Sequence, residues 1–325
     1  MAWVVASSPG AQGQQYDVYM LLRWQSRLIL LLALPIAGAD LVIETGFWYS
    51  REPRIPLWSF GICAFFALVV LLMRAGTPAA AAAGFAITSS LIFSTAPLPF
   101  MPLRTAFTPA FGVFALAYAA TRFGYSGKLR LGTAEPRSGR SAPQVAANLG
   151  AAMLFALPFF QFLLINSNLI GPHLYSATAL IPALIFAPAL AALAEAAADT
   201  VSSEIGQSLT IAFNQKFGTR PRLITTLRIA QPGTNGAITL LGSLAGILAA
   251  FLIALAGTWA LRGGITLLLF STAGALFGLF FDSLLGATLE RKGWLNNDAV
   301  NFLSTLSAAL FVLLLLALIP HPYIG

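Results

Sequence analysis

Nine apolar runs divide this sequence, each long enough to cross the ~30 Å hydrocarbon core of a bilayer as a helix. They lie near residues 28–46, 57–73, 79–97, 104–121, 146–165, 175–198, 237–261, 264–287 and 299–319. In lipid the backbone must find its hydrogen bonds within the chain, so such runs leave the helix as the spanning element. Charged residues make up 9% of the chain, against about 25% in a soluble domain. The fold class read from this is an all-α, polytopic transmembrane bundle of about nine helices, some kinked or broken. Residues 1–16 lack the basic start, apolar core and cleavage site of a secretory signal, so the first helix is expected to stay in the mature protein. The single cysteine, Cys63, rules out an intrachain disulfide or a Cys-based metal site.

The basic residues are partitioned unevenly across nine passes. One side holds Arg23, Arg27, Arg74, Arg122, Lys128, Arg130, Arg137, Arg140, Lys216, Arg220, Arg222, Arg228, Arg291 and Lys292; the other holds Arg51, Arg54, Arg104 and Arg262. The positive-inside rule places the rich side, with the polar loops 122–145, 214–236 and 288–298, in the cytoplasm. The net charge of +7 does not point to nucleic acid, because the basic residues sit beside membrane ends with few aromatics interleaved. Anionic lipid headgroups or a phosphorylated ligand fit better.

Against that background the acids stand out. A carboxylate at the centre of a membrane helix costs about 2.5–3.5 kcal/mol on insertion scales, so such residues usually face a bundle interior and mark a site. Glu195, Asp199 and Glu204 end the sixth run. At 100° per residue Glu195, Asp199, Ser202 and Gly206 share one face, whereas Glu204 points about 140° away from Asp199. Either Glu204 serves another contact or the helix breaks before it; Pro182 and Pro188 upstream predict a kink that frees backbone groups near the acids. Asp282 repeats the pattern near the end of the eighth run. Two carboxylates entering one end from different helices suit Mg²⁺, a hard cation commonly held by one or two carboxylates plus substrate phosphates. Asp199 and Asp282 are therefore the expected metal ligands. Asp40 and Glu44, one turn apart, are expected near the opposite interface with Arg51 and Arg54.

The polar loops carry phosphate-binding chemistry. Arg222 offers a rigid fork of donors, followed by Thr225 and Thr226, then by the turn Gly233-Thr234-Asn235-Gly236, whose backbone N–H groups can approach an anion closely. Asn297 or Asp298 is expected to cap the last helix, with Asn297 and Asn301 sharing an inward face. Lys128, Arg130, Arg137 and Arg140 read as a basic lid over an anionic headgroup, followed by Gln144 and Asn148 at the head of the fifth helix. Gly242–Gly246 and Gly274–Gly278 are small-xxx-small patterns that let helices pack closely. A Walker-type loop and a Rossmann fingerprint are both missing, and His173 and His321 are isolated, which argues against a His-ligated metal.

Taken in order, Ala198 to Gly206, Pro221 to Thr226, Pro232 to Gly236, Leu240 to Gly242, Asp282 to Thr288 and Asn297 to Phe302 resemble the integral-membrane family long catalogued as domain of unknown function ninety-two and typified by plant phytyl-phosphate kinase. Thr121 to Gly124 and Ser141 to Asn148 extend the resemblance to about residues 80–325. It implies an N-terminal region with two transmembrane helices, 1–75, ahead of a prenyl-phosphate-kinase-like membrane domain, 76–325. The implied activity moves a phosphoryl group from a nucleoside triphosphate, CTP in related lipid kinases, to an isoprenyl monophosphate, with Mg²⁺ as cofactor. Asp199, Asp282, Arg222 and Lys128 are the expected catalytic residues. The expected nucleotide- and phosphate-binding residues are Arg137, Arg140, Asn148, Glu204, Thr225, Thr226, Gly233, Thr234, Asn235, Gly236, Asn297, Asp298 and Asn301. The alternative is a transporter or flippase for a lipid-linked or organic phosphate.

Overall fold

A computed structural model describes residues 22–136, 138–167, 181–216 and 218–318. The helices are α1 (Arg23–Arg51), α2 (Arg54–Leu72), α3 (Pro78–Ser94), α4 (Phe107–Arg122), α5 (Tyr125–Leu131), α6 (Ala142–Ala156), α7 (Pro158–Asn166), α8 (Ile181–Leu184), α9 (Ala187–Ala212), α10 (Leu240–Ala260), α11 (Ile265–Leu285) and α12 (Asn297–Ala317). Among the described residues α1, α2, α10, α12 and the span Ile265–Glu290 are long and apolar enough to cross a membrane, and α6 with α7 makes a sixth span bent by 50°. The chain is an all-α, multi-pass membrane protein. His173, His321, Arg137 and the head of the sixth run lie outside the described residues.

Helix α9 is the axis. Every residue from Ala187 to Ala198 is buried, because this stretch is apolar on every face apart from Glu195, as a helix enclosed by others must be. Its alanines let α4, α6, α10, α11 and α12 pack directly against it. A Cβ added at Gly246 of α10 would stand 2.8 Å from the Ala198 carbonyl oxygen and from Ser202 Cβ. The first small-xxx-small pattern thus brings α10 onto α9 beside Asp199. Gly274 and Gly278 do the same for α11 against α12.

Two sequence expectations about helix breaks are corrected. Pro188 sits in the first turn of α9, where its missing N–H costs nothing. The interruption therefore falls at Ile185–Phe186, and α9 runs unbroken through all three acids. The fifth run instead breaks at Pro158, which opens α7. There Gln161 donates to the Phe155 carbonyl at 2.6 Å and, across to the interruption before α9, to the Ile185 carbonyl at 3.2 Å, satisfying an acceptor at each break.

The charge asymmetry has a structural counterpart. Arg74, Arg122 and Arg140 gather at one end, where the backbone of Gly76 bridges that of Arg140 and Arg122 donates to the Met73 carbonyl. At the other end Arg104 stacks 3.9 Å over Trp259, and Arg262 reaches the Met101 sulfur. Asp40 and Glu44 do not turn to Arg51 and Arg54. Both are buried, and Asp40 accepts a 2.5 Å bond from Ser90 of α3. Arg51 lies over Phe47 and Arg54 pairs with Glu52. An acid inside the bundle is held by a short polar side chain that needs no charge of its own.

Candidate functional site

Asp199 lies in the middle of α9 and Asp282 in the last turn of α11. Their carboxyl groups are within hydrogen-bonding reach of each other. Both face a cleft of ≈ 970 Å³ at the arginine-rich end, counted with its open mouth. Ser202, Ser203, Gly206 and Gln207 of α9 line one wall, so the face drawn from the 100° period is the face that meets the cleft. Asn297 and Asn301, one turn apart on α12, line another.

The third wall is a hairpin. Strand β1 (Arg222–Leu223) pairs antiparallel with β2 (Ala237–Ile238), Arg222 opposite Ile238 and Leu223 opposite Ala237. Between them the Gly233–Gly236 turn comes back over the acids. Thr210 of α9 bonds the Thr219 carbonyl at 2.6 Å, which ties the hairpin's entry to the helix. At its exit Thr239 caps α10 by accepting from the Gly242 N–H at 3.0 Å. Gly236 has φ 72°, and a Cβ there would strike the backbone of Ala287 in the π-helical turn Gly286–Glu290 that follows Asp282. The hairpin can therefore press on this π-helical turn only through a glycine. Gly236→Val is expected to lift the hairpin off this contact, lowering the thermal unfolding midpoint by a few degrees while far-UV circular dichroism at room temperature stays the same.

The start of α12 is held from the far end of the sequence. Its cap is Asn296, not Asn297 or Asp298: Asn296 Oδ1 accepts from the Ala299 N–H at 2.8 Å. That leaves Asn297 free to face the cleft, whereas Asp298 accepts a 2.6 Å bond from Ser26. Gln25 donates to the Trp294 carbonyl and accepts from the Asn296 N–H, both at 2.8 Å. The first helix thereby positions a wall of the site.

The structure brings together Asp199, Asp282, Gly233, Thr234, Asn235, Gly236, Asn297 and Asn301. It does not bring Lys128, Glu204, Arg222, Thr225 or Thr226 to the cleft. Lys128 is fully buried and donates to the Ala120 and Thr121 carbonyls and to Glu204. Glu204 thus serves another contact, as its helical angle allows. Arg222 is exposed and donates to the Leu227 carbonyl, and Thr225 and Thr226 are exposed within the hairpin. Arg140 reaches in from behind α9, its guanidinium 3.2 Å from the Thr200 hydroxyl next to Asp199. Asn148 accepts from Asn301 at 3.3 Å. Gln207, Ser283 and Glu290 also line the cleft, beyond the residues expected from the sequence. Gln207 carried a signal, since it stands one turn beyond Ser203 on the face of the acids.

The donor set fits a hard divalent cation. Asp282 Oδ2 is buried without a hydrogen-bond partner, and its neighbour across the helix interface is a second carboxyl. Among the described residues no group of three or more His, Cys, Asp or Glu side chains converges on one point. A cation held here would take its remaining ligands from water and substrate oxygens, which is how Mg²⁺ usually binds. Glu195, deeper on α9, is fully buried, with Ser304 as partner to its carboxyl and Oε1 unpaired.

Comparison with known proteins adds the family. No solved structure matches the chain. An uncharacterized membrane protein of Methanocaldococcus jannaschii is 49% identical over 117 residues, 36% of this chain and 45% of that protein. An uncharacterized membrane protein of Synechocystis sp. is 32% identical over 197 residues, 60% of this chain and 68% of that protein. Protein VTE6, chloroplastic, of Arabidopsis thaliana is 30% identical over 201 residues, 59% of this chain and 52% of that protein. The chain thus spans about half the length of two of these three relatives. The model of the integral membrane protein DUF92 family matches residues 61–309, a stretch that contains every wall of the cleft, and the chain belongs to that family.

Proposed function

We propose that this protein is a membrane phosphotransferase that moves the terminal phosphoryl group of a nucleoside triphosphate, CTP by family resemblance, onto an isoprenyl monophosphate such as phytyl or geranylgeranyl phosphate. The observation that carries the reading is the pair Asp199 and Asp282, from separate helices of the bundle, at one cleft beneath a glycine turn. In the reaction an oxygen of the acceptor phosphate attacks the terminal phosphorus, a new P–O–P bond forms, and the bond to the leaving nucleoside diphosphate breaks. Such transfers ask for positioning and charge stabilisation more than for covalent chemistry. A bound Mg²⁺ would neutralise charge on the triphosphate.

The chain's own residues divide the remaining work. Asp199 and Asp282 supply the acidic oxygens that hold the cation, and the backbone of Gly233 to Gly236 cradles the phosphates with Thr234 and Asn235. Asn297 and Asn301 orient the nucleotide from the α12 wall. Arg140, anchored to Thr200, sets a positive charge behind Asp199 where the acceptor phosphate arrives. By the positive-inside rule this end faces the cytoplasm.

The test is product formation. Purified protein in detergent with CTP, Mg²⁺ and phytyl or geranylgeranyl monophosphate is expected to give the diphosphate and CDP in equal amounts, read by mass spectrometry. Flux of the phosphate compound across sealed vesicles with no CTP turnover would overturn the reading in favour of transport.

A further inference from the structure

A second cavity lies on the other side of Arg140. It is a groove of ≈ 1090 Å³ between α2, α3, α4 and α6. Its length is apolar, lined by Phe66, Val70, Phe85, Val113, Phe114 and Leu149, and alanines such as Ala67 and Ala117 leave the space open. Its polar end is basic: Arg74 closes α2, Arg122 closes α4 and Arg140 precedes α6, and all three line the groove. Among the described residues none of the three forms an ion pair with a carboxylate. Glu135 shares this rim. Burial pushes its carboxyl above the usual range, with Arg140 opposing.

The polar end abuts the cleft. Arg140 lines the groove and bonds Thr200, whose neighbour Asp199 lines the cleft; Asn148 lines the groove and accepts from Asn301, which lines the cleft. Two side-chain contacts therefore link the lining of one space to that of the other.

The geometry points to this groove as the binding site of a single-chain isoprenoid monophosphate, its tail between α2, α3, α4 and α6 and its phosphate on Arg74, Arg122 and Arg140. The inference rests on the phosphotransferase reading only for the fate of that phosphate. An amphiphile with one apolar chain and one compact anionic head matches the two ends of the groove, and in this pose its phosphate meets the Arg140 side chain that links groove to cleft.

The test uses the whole protein in detergent and phytyl monophosphate as the probe. Ala67→Trp and Val70→Trp, which fill the groove without touching the cleft, are expected to weaken phytyl monophosphate binding about tenfold or more and to leave Mg²⁺–CTP binding unchanged. Replacing Arg74 and Arg122 by Gln is expected to erase the preference for phytyl monophosphate over phytol. Photo-crosslinking of the unmodified protein with a diazirine-bearing prenyl phosphate, which needs no variant to fold, is expected to label α2, α3, α4 or α6.

Labels confined to other helices, unchanged binding in both Trp variants, or equal competition by phosphatidic acid would overturn the groove as this lipid's site. The two proposals fail separately. If the diphosphate forms with its acceptor KM untouched by Val70→Trp, the groove is wrong and the transferase stands. If phytyl monophosphate binds in a groove-dependent way and no diphosphate forms, the groove stands and the transferase is wrong.

Discussion

Asp282→Asn is expected to lower the rate of phosphoryl transfer by about 10²–10³-fold, the range seen when one electrostatic stabiliser of a transition state is removed, while leaving the fold at least as stable. Asp282 and Asp199 stand within hydrogen-bonding reach, with one Asp282 oxygen buried and unpaired. Without a cation two carboxylates so placed oppose each other. An amide at residue 282 can instead donate to Asp199. The signature is a dissociation of two readouts: CDP production collapses, and the melting temperature in chelator holds or rises. Mg²⁺ is expected to raise the melting temperature of the parent protein, as any ligand specific for the folded state does, and not that of Asp282→Asn. A variant that unfolds, or one that keeps its rate, would show that Asp282 is a structural acid.

Lys128→Ala is expected to produce the largest loss of stability, about 3–5 kcal/mol, because it strips the partner from a buried charge. The Lys128 side chain has no exposure and that of Glu204 only 14%. The ammonium ties the α4–α5 corner to α9 through the Ala120 and Thr121 carbonyls and Glu204. Glu204→Gln alone leaves the lysine charge behind and is expected to destabilise as well. The double variant Lys128→Met, Glu204→Leu is expected to recover most of the loss, since two apolar groups of similar size need no compensation. Denaturation midpoints of the four proteins check this. Transfer activity is expected to follow the folded fraction, which is the mark of a residue acting on the scaffold rather than on phosphate.

Much of this arrangement was legible in the sequence, for identifiable reasons. The apolar runs located the helices of the bundle, although among the described residues only five, or six with the bent pair, are long and apolar enough to cross a membrane, and the 3.6-residue period set Asp199 with Ser202 and Gly206 on one face and Glu204 on another. What stayed hidden depended on distance across the chain. No local pattern marks Gln25 and Ser26 as supports of the 294–298 turn, or Lys128 as Glu204's partner, since each contact joins helices far apart in sequence. The proline reading erred for a related reason. Pro188 and Pro158 look alike in a hydropathy scan, yet each simply opens a helix, and only the position of that opening decides whether a break lands beside the acids. Arg222 looked like a phosphate ligand because its guanidinium offers a rigid fork of donors in the same loop as a glycine turn; in the hairpin its side chain goes to the Leu227 carbonyl instead.

The groove and the cleft also account for a bundle whose polar end is built so elaborately. The cleft gathers carboxylates, and the end of the groove gathers arginines. Arg140 and Asn148 stand between them. A phosphorylated lipid and a metal-bound nucleotide would each neutralise one side.

The measurement that bears most directly on the paired carboxylates is equilibrium dialysis of labelled CTP against the detergent-solubilised protein, with and without Mg²⁺, in the parent, Asp199→Asn and Asp282→Asn. Saturable binding that requires the metal and disappears in both variants is the expected result. Binding that is indifferent to Mg²⁺, or that survives in either variant, would contradict the claim that these two side chains share a cation with a polyphosphate.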